Sequence, residues 1–169
     1  MDPSPKLRIE HAGEQDASLI LEFIRALAEY EKHLDKVEAT EERIRETIFA
    51  AEPRAQVIFA FDGENPVGFA VFFYTYSTFA VQPGLYLEDI YVKSEARGKG
   101  VGRQLFRYLA RRAKEKGCCK MEWAVLRWNK AAIKFYESLG ASPVDDWAIY
   151  SLRGNSFDRL AAEYPGEPG

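Results

Sequence analysis

The chain has 169 residues, 47% of them apolar and 14% aromatic, which suits one domain with a full hydrophobic core and excludes a disordered chain. A net charge of −3 argues against a nucleic-acid binder that works by general charge, and suits a cationic small partner. Cys118 and Cys119 are adjacent and imply no disulfide framework, while His11 and His33 have no ligand-spaced partner, so no metal site is expected. The N-terminus carries no charged-then-apolar signal and no apolar run reaches spanning length, so a cytoplasmic protein without a membrane partner is expected.

Residues 1–5 read as a frayed start, and 163–169 as a second flexible end. Leu7 to Glu10 alternates as a strand does. From Ser18 to about Lys32, the apolar residues Leu19, Ile20, Phe23, Ile24 and Leu27 recur at helical spacing. Thr40 opens a second short helix with a capping signal, and Pro53 closes it. Val57 to Phe61 and Val67 to Tyr74 are strands joined by the turn Asp62 to Asn65. Thr75 to Gly84 reads as a loop, and Tyr86 to Val92 as the next strand. A basic helix follows over about Val101 to Lys116 and stops at Gly117. Met121 to Val125 is a strand, Ala131 to Leu139 a helix, Trp147 to Leu152 a last strand, and Phe157 to Ala162 a short terminal helix. The order β-α-α-β-β-β-α-β-α-β describes a mixed α/β (α+β) domain on a central sheet, spanning 6–162.

The most informative segment is Arg97-Gly98-Lys99-Gly100-Val101-Gly102, between a strand and a helix start. Glycines let backbone approach a ligand closely, and the free N–H groups of a helix start suit a diphosphate. A Walker A loop is excluded because Gly100 follows Lys99 where Ser or Thr is needed. A dinucleotide fingerprint is excluded because Arg103 stands at the third glycine position. A glycine-rich turn without a ligand fits the same six residues.

The remaining pattern, Arg97-x-x-Gly100-x-Gly102, resembles the pyrophosphate loop of the GNAT N-acetyltransferases. The segment Trp128-Asn129-Lys130-Ala131-Ala132-Ile133-Lys134-Phe135-Tyr136, with Gly140-Ala141 beyond it, resembles the same superfamily's second motif. Within the superfamily the chain looks closest to the spermidine/spermine (diamine) N-acetyltransferases. That likeness rests on Leu27 to Lys32, on Gly68-Phe69-Ala70 with Phe73 to Tyr76, on Leu85 to Asp89, and on Trp128-Asn129. The resemblance implies the GNAT acyl-CoA N-acyltransferase fold, with acetyl-CoA lying between two splayed strands. It implies cofactor contacts at Ile90, Tyr91, Val92, Arg97, Gly98, Lys99, Gly100, Val101, Gly102, Arg103, Asn129, Lys130, Ala131 and Ala132. It also implies a small-molecule amine as acceptor and a homodimer formed through the strands near the C-terminus.

Amide formation from a thioester needs a neutral amine, a polarised carbonyl and a proton for the leaving thiolate. Glu88, on the strand edge, is the expected base, and Tyr136 the expected acid. A helix tyrosine is also commonly a core aromatic. The backbone N–H groups of Ile90, Tyr91 and Val92 suit the carbonyl. Asp89 points the other way along the strand, as a structural residue or as a substrate contact through a distorted pleat. By resemblance Tyr30 and Glu31 contact the acceptor, together with Glu88, Asp89, Asp145 and Trp147. The other acidic residues between Glu29 and Glu46 read as a solvated face with mixed pairs. Arg97 suits phosphate binding or bracing of the loop. A diamine or polyamine is the expected acceptor. Thialysine, a lysine-like amino acid, an antibiotic amine, a protein lysine, or a non-catalytic acyl-CoA-binding regulator are the alternatives.

Overall fold

The computed structural model describes residues 7–166. The expected loose start at 1–5, and residues 167–169 of the expected loose end at 163–169, lie outside the described residues. Chain contacts divide the protein into two compact units, Met1–Ala124 and Val125–Gly169.

The first unit holds a five-stranded sheet in the order β1-β2-β3-β4-β5. The strands are β1 Leu7–His11, β2 Gln56–Asp62, β3 Asn65–Ser77, β4 Gln82–Val92 and β5 Met121–Trp123. β1 to β4 form an antiparallel meander, and β5 joins β4 in parallel. Helices α1 Ala17–Tyr30 and α2 Glu41–Ile48 precede β2, and α3 Val101–Glu115 connects β4 to β5. The connection is helical because parallel strands need a long crossover.

One face of the sheet takes α1 and α2. Ile20 and Phe23 of α1 pack with Ile44, Val57, Phe59, Phe69 and Val71. The Phe23 ring stacks on Phe69 at 5.0 Å between centroids. The Thr40 hydroxyl caps α2 by accepting from the Arg43 N–H at 3.2 Å, as its sequence signal requires. α3 packs on β1, β3 and β4, with Val101, Leu105, Leu109 and Ala113 buried at four-residue spacing. Gly68 permits its close approach: a Cβ there would stand 3.1 Å from Val101 Cγ1. Residues in step with Gly68, namely Ala70 and Phe72, therefore line the α3 side, while Phe69 and Val71 line the α1 side.

The expected loop over 75–84 is mostly strand: β3 and β4 pair from Ser77↔Gln82 onward as one long hairpin. Pro83 and Gly84 look like breakers in the sequence, yet each has a reason to sit in a strand. The Pro83 carbonyl accepts from the Cys119 N–H at 2.9 Å, and Gly84 lies opposite Thr75, whose Oγ1 would be 2.7 Å from a Cβ at position 84. Gly84→Ala is expected to destabilise the fold by about 1–3 kcal/mol, and Thr75→Ala to recover most of the loss. Urea denaturation of both single variants and the double variant measures this; additive losses would contradict the close contact.

In the second unit, Asn129 caps α4 (Lys130–Ser138), its Oδ1 accepting from the Ala132 N–H at 3.2 Å. α5 spans Gly154–Ala162, three residues longer at its start than its apolar pattern indicated. The expected last strand over 147–152 does not form. The segment has no backbone hydrogen bond among the described residues, and Trp147, Ile149, Tyr150 and Leu152 are exposed. A strand exists only through its neighbour's backbone, and an apolar pattern carries no information about that neighbour. The strand before α4 likewise ends at Trp123 rather than Val125.

Candidate active site

The glycine loop follows β4 and a short 3-10 turn over Ser94–Ala96. Gly98 (φ +75°) and Gly100 (φ +82°) are both left-handed, a conformation that disfavours any Cβ. Nothing lies within 4 Å of the Cβ that either would carry, so the space on that side of the loop is open. Gly100 is the N-cap of α3 and has no side chain to satisfy the helix's first N–H groups. The N–H groups of Gly98, Lys99, Gly100, Val101 and Gly102 make no backbone hydrogen bond among the described residues. The Arg97 N–H is spent on the Ser94 carbonyl at 3.3 Å. Open amides at the head of a fifteen-residue helix, with Lys99 and Arg103 beside them, fit a diphosphate.

β5 pairs only with Leu85, Tyr86 and Leu87 of β4. From Glu88 to Val92, no described strand lies along the outer edge of β4, so the outward backbone N–H groups of this stretch face no neighbouring strand. The pairing of β4 with β5 stops at Leu87↔Trp123, short of the Glu88–Val92 stretch.

The carboxylates are placed by a β-bulge. Phe72 pairs with Leu87 and Val71 with Asp89, which leaves Glu88 without a partner on β3. The extra residue reverses the side on which the following residues lie. Asp89 comes into step with Tyr91, opposite Val71 on the α1 side, instead of following Leu87 to the α3 side. Glu88 is exposed at the bulge. Burial, reinforced by the Glu88 and Glu31 charges, pushes the Asp89 carboxyl up to about 6.

The end of α1 forms the wall of this space. The Tyr91 ring meets Phe23 and Tyr30 edge-on, each at 6.3 Å. The Arg97 guanidinium lies over Tyr30 at 4.8 Å and over Tyr91 at 5.4 Å, and its Nε–H donates to the Val92 carbonyl at 3.0 Å. Tyr30, Glu31, Asp89, Tyr91 and Arg97 are thus gathered on one side of β4. The ring of Tyr91 and the guanidinium of Arg97 were not legible as parts of this wall. The spacing Asp89-x-Tyr91 was the available signal, and the bulge reverses what it means. Most acidic residues of the Glu29–Glu46 stretch face solvent or pair with neighbours, such as Glu41 with Arg45 at 2.8 Å and Glu38 with Arg43 at 3.8 Å.

The second unit carries the other expected site residues. Tyr136 lies on α4 with its ring 5.6 Å from that of Phe135, and Asn129, Lys130, Ala131 and Ala132 form the capped first turn of that helix. Asp145 and Trp147 are exposed in the irregular segment before α5.

Over residues 20–141 the chain matches the Acetyltransferase (GNAT) family. It is 37% identical over 166 residues to the thialysine N-epsilon-acetyltransferase of Bos taurus, which covers 92% of this chain and 97% of that protein. It is 32% identical over 166 residues to the spermidine/spermine N(1)-acetyltransferase-like protein 1 of Homo sapiens, across 92% of this chain and 24% of that one. An integron cassette protein from the mobile metagenome of V. cholerae superposes with a TM-score of 0.77 at 29% identity, across 92% of this chain and 97% of that structure. The fold expected from the glycine loop and the α4 motif is the one found, and the chain belongs to the GNAT acetyltransferases, enzymes of acetyl-CoA-dependent amine acetylation.

Proposed function

We propose that this protein transfers the acetyl group of acetyl-CoA directly to the terminal primary amine of a small, diamine-like acceptor, either a polyamine or an amino acid with an amine-bearing side chain. The observation that carries the reading is Asp89, turned by the bulge onto the α1 side and held there with Glu31 and Glu88 close by. Several carboxylates around one half-buried point suit a cationic acceptor. The names of the thialysine and spermidine/spermine-type relatives support an amine at the end of a short chain.

Acetyl-CoA supplies the activated acyl group. The amides of Gly98 to Gly102 bind its diphosphate, with Lys99 and Arg103 adding charge and the first turn of α4, Asn129 to Ala132, holding its arm. An alkylamine with a pKa of about 10.4 is neutral at pH 7 in only about one molecule in a few thousand. Asp89 and Glu88 hold the ammonium and accept its proton, directly or through water, as nitrogen attacks. Outward N–H groups among Ile90, Tyr91 and Val92 polarise the carbonyl oxygen. Tyr136 gives the departing thiolate its proton. Tyr136→Phe is expected to lower kcat about tenfold or more with little change in CoA affinity, and an unchanged kcat would remove its role as acid.

Both units are read as parts of one N-acetyltransferase domain over 6–162, since the family match at 20–141 crosses the boundary between them. The exposed apolar residues Trp147, Ile149, Tyr150 and Leu152 support a homodimer that covers them. The cytoplasm remains the compartment indicated by the sequence alone. A thiol-release assay with acetyl-CoA tests the activity against lysine, thialysine, ornithine, cadaverine, spermidine and an aminoglycoside. Release with the terminal alkylamines is expected. Tight CoA binding with no release for any amine would favour an acyl-CoA-binding regulator instead.

A further inference from the structure

The segment that leads into the glycine loop grips α1 at two points. At its start, the Lys93 ammonium donates to a Glu22 carboxylate oxygen at 3.2 Å and lies 5.1 Å from the centre of the Phe23 ring, while the Lys93 N–H donates to the Val67 carbonyl at 2.9 Å. Phe23 is fully buried, so this end is anchored to the core. The other end is Arg97, which is exposed and reaches back over the rings of Tyr30 and Tyr91. Beyond Tyr30 the chain closes a tight turn. The Glu31 N–H donates to the Leu27 carbonyl at 2.9 Å and the His33 N–H to the Ala28 carbonyl at 2.8 Å, with Lys32 left-handed (φ +61°) between them. Tyr30 and Glu31 therefore move as one unit, and the Glu31 charge acts on Asp89. The cofactor loop touches Tyr30, and Tyr30 carries the end of α1 that completes the carboxylate cluster.

We infer that Tyr30 is a positioning residue that couples the two sites: a filled cofactor loop fixes the Arg97–Tyr30 stack, and the stack fixes Glu31 beside Asp89 for the incoming ammonium. A guanidinium stacks through its face and bonds an anion through its edge, so Arg97 serves the diphosphate without leaving Tyr30. A guanidinium over an exposed ring is a weak contact by itself, and ordering both side chains opposes it. The stack is therefore held firmly only when an anion on the loop holds the guanidinium. Neutralising Arg97 also lowers its repulsion of a cationic acceptor. Both effects have the same sign, and the linkage is reciprocal: cofactor raises acceptor affinity and acceptor raises cofactor affinity. This inference rests on the amine-acetylation reading above and adds how occupancy of one subsite sets the other.

Calorimetry with cadaverine as the acceptor probe, in the presence and absence of unacetylated CoA, measures the coupling without turnover. Wild type loaded with CoA is expected to bind cadaverine about tenfold or more tightly than the free protein, and saturating cadaverine to raise CoA affinity by the same factor. Tyr30 is 36% exposed, so its replacement leaves the core intact. In Tyr30→Leu the factor is expected to fall to about twofold or less, with the affinity for CoA alone within about twofold of wild type. Tyr30→Phe keeps the ring face and is expected to keep the factor. Tyr30→Leu protein that binds cadaverine equally weakly relative to wild type with and without CoA would make Tyr30 an acceptor contact and overturn the proposal. So would loss of the factor in Tyr30→Phe, a wild type without coupling, or cadaverine that binds neither form. Thiol release by wild type separates the two readings: release from an amine without coupling defeats this inference alone, and no release with any amine defeats the acetylation reading.

Discussion

Asp89→Asn is expected to lower kcat/KM for a terminal amine by about 100-fold to 1,000-fold while raising the stability of the fold above neutral pH. Both effects have one cause. The side chain is pushed from an ordinary value of 3.8 up to about 6, first by burial and then by the Glu88 and Glu31 charges. The folded protein therefore holds this proton more tightly than the unfolded chain does. As pH rises through that interval the proton is lost, and stability falls with it. Above about pH 7 the ionised carboxylate costs the fold up to about 3 kcal/mol, reduced by whatever water reaches the bulge. Asparagine stays neutral and avoids the cost, so the melting temperature should rise near pH 8 and change little near pH 4. In the free wild-type enzyme, kcat/KM should fall as pH drops through about 6, where Asp89 gains its proton and can neither hold an ammonium nor accept its proton. A variant with full activity, or one whose melting point is unchanged at both pH values, would show that the bulge does not strain Asp89 for function.

Gly100→Ala is expected to weaken CoA binding about tenfold or more, with a loss of only a few degrees in melting temperature. The left-handed backbone at Gly100 strains any Cβ by about 1–2 kcal/mol, but no atom of the protein lies within 4 Å of the added methyl. The damage should therefore fall on whatever occupies the open side of the loop. Gly63 is the matched control: it is also left-handed and has nothing within 4 Å, but it sits in the β2–β3 turn. Gly63→Ala should show a similar loss of stability with CoA affinity intact. Equal CoA affinities in the two variants would contradict the loop assignment.

Much of this site is legible in local pattern. The Asn129 and Thr40 caps are local events, each decided within a few residues of a helix start. What local pattern misses depends on partners distant in sequence. Pro83 and Gly84 look like loop residues until Thr75 and Cys119 are seen beside them. Residues 147–152 have strand composition and no described strand to pair with. The bulge at Glu88 is the consequential case. Strict alternation sends Asp89 away from the α1 side, and one extra residue brings it back among Tyr91, Glu31 and the end of α1. The stacking of Arg97 on Tyr30 and Tyr91 follows from the same fold and has no local signature.

The most direct test is a crystal structure of the protein with CoA and lysine bound. The account predicts diphosphate oxygens about 3 Å from backbone N–H groups between Gly98 and Gly102, and the side-chain amine of lysine within hydrogen-bond reach of Asp89. A diphosphate bound away from that loop, or an amine that leaves Asp89 untouched, would contradict it.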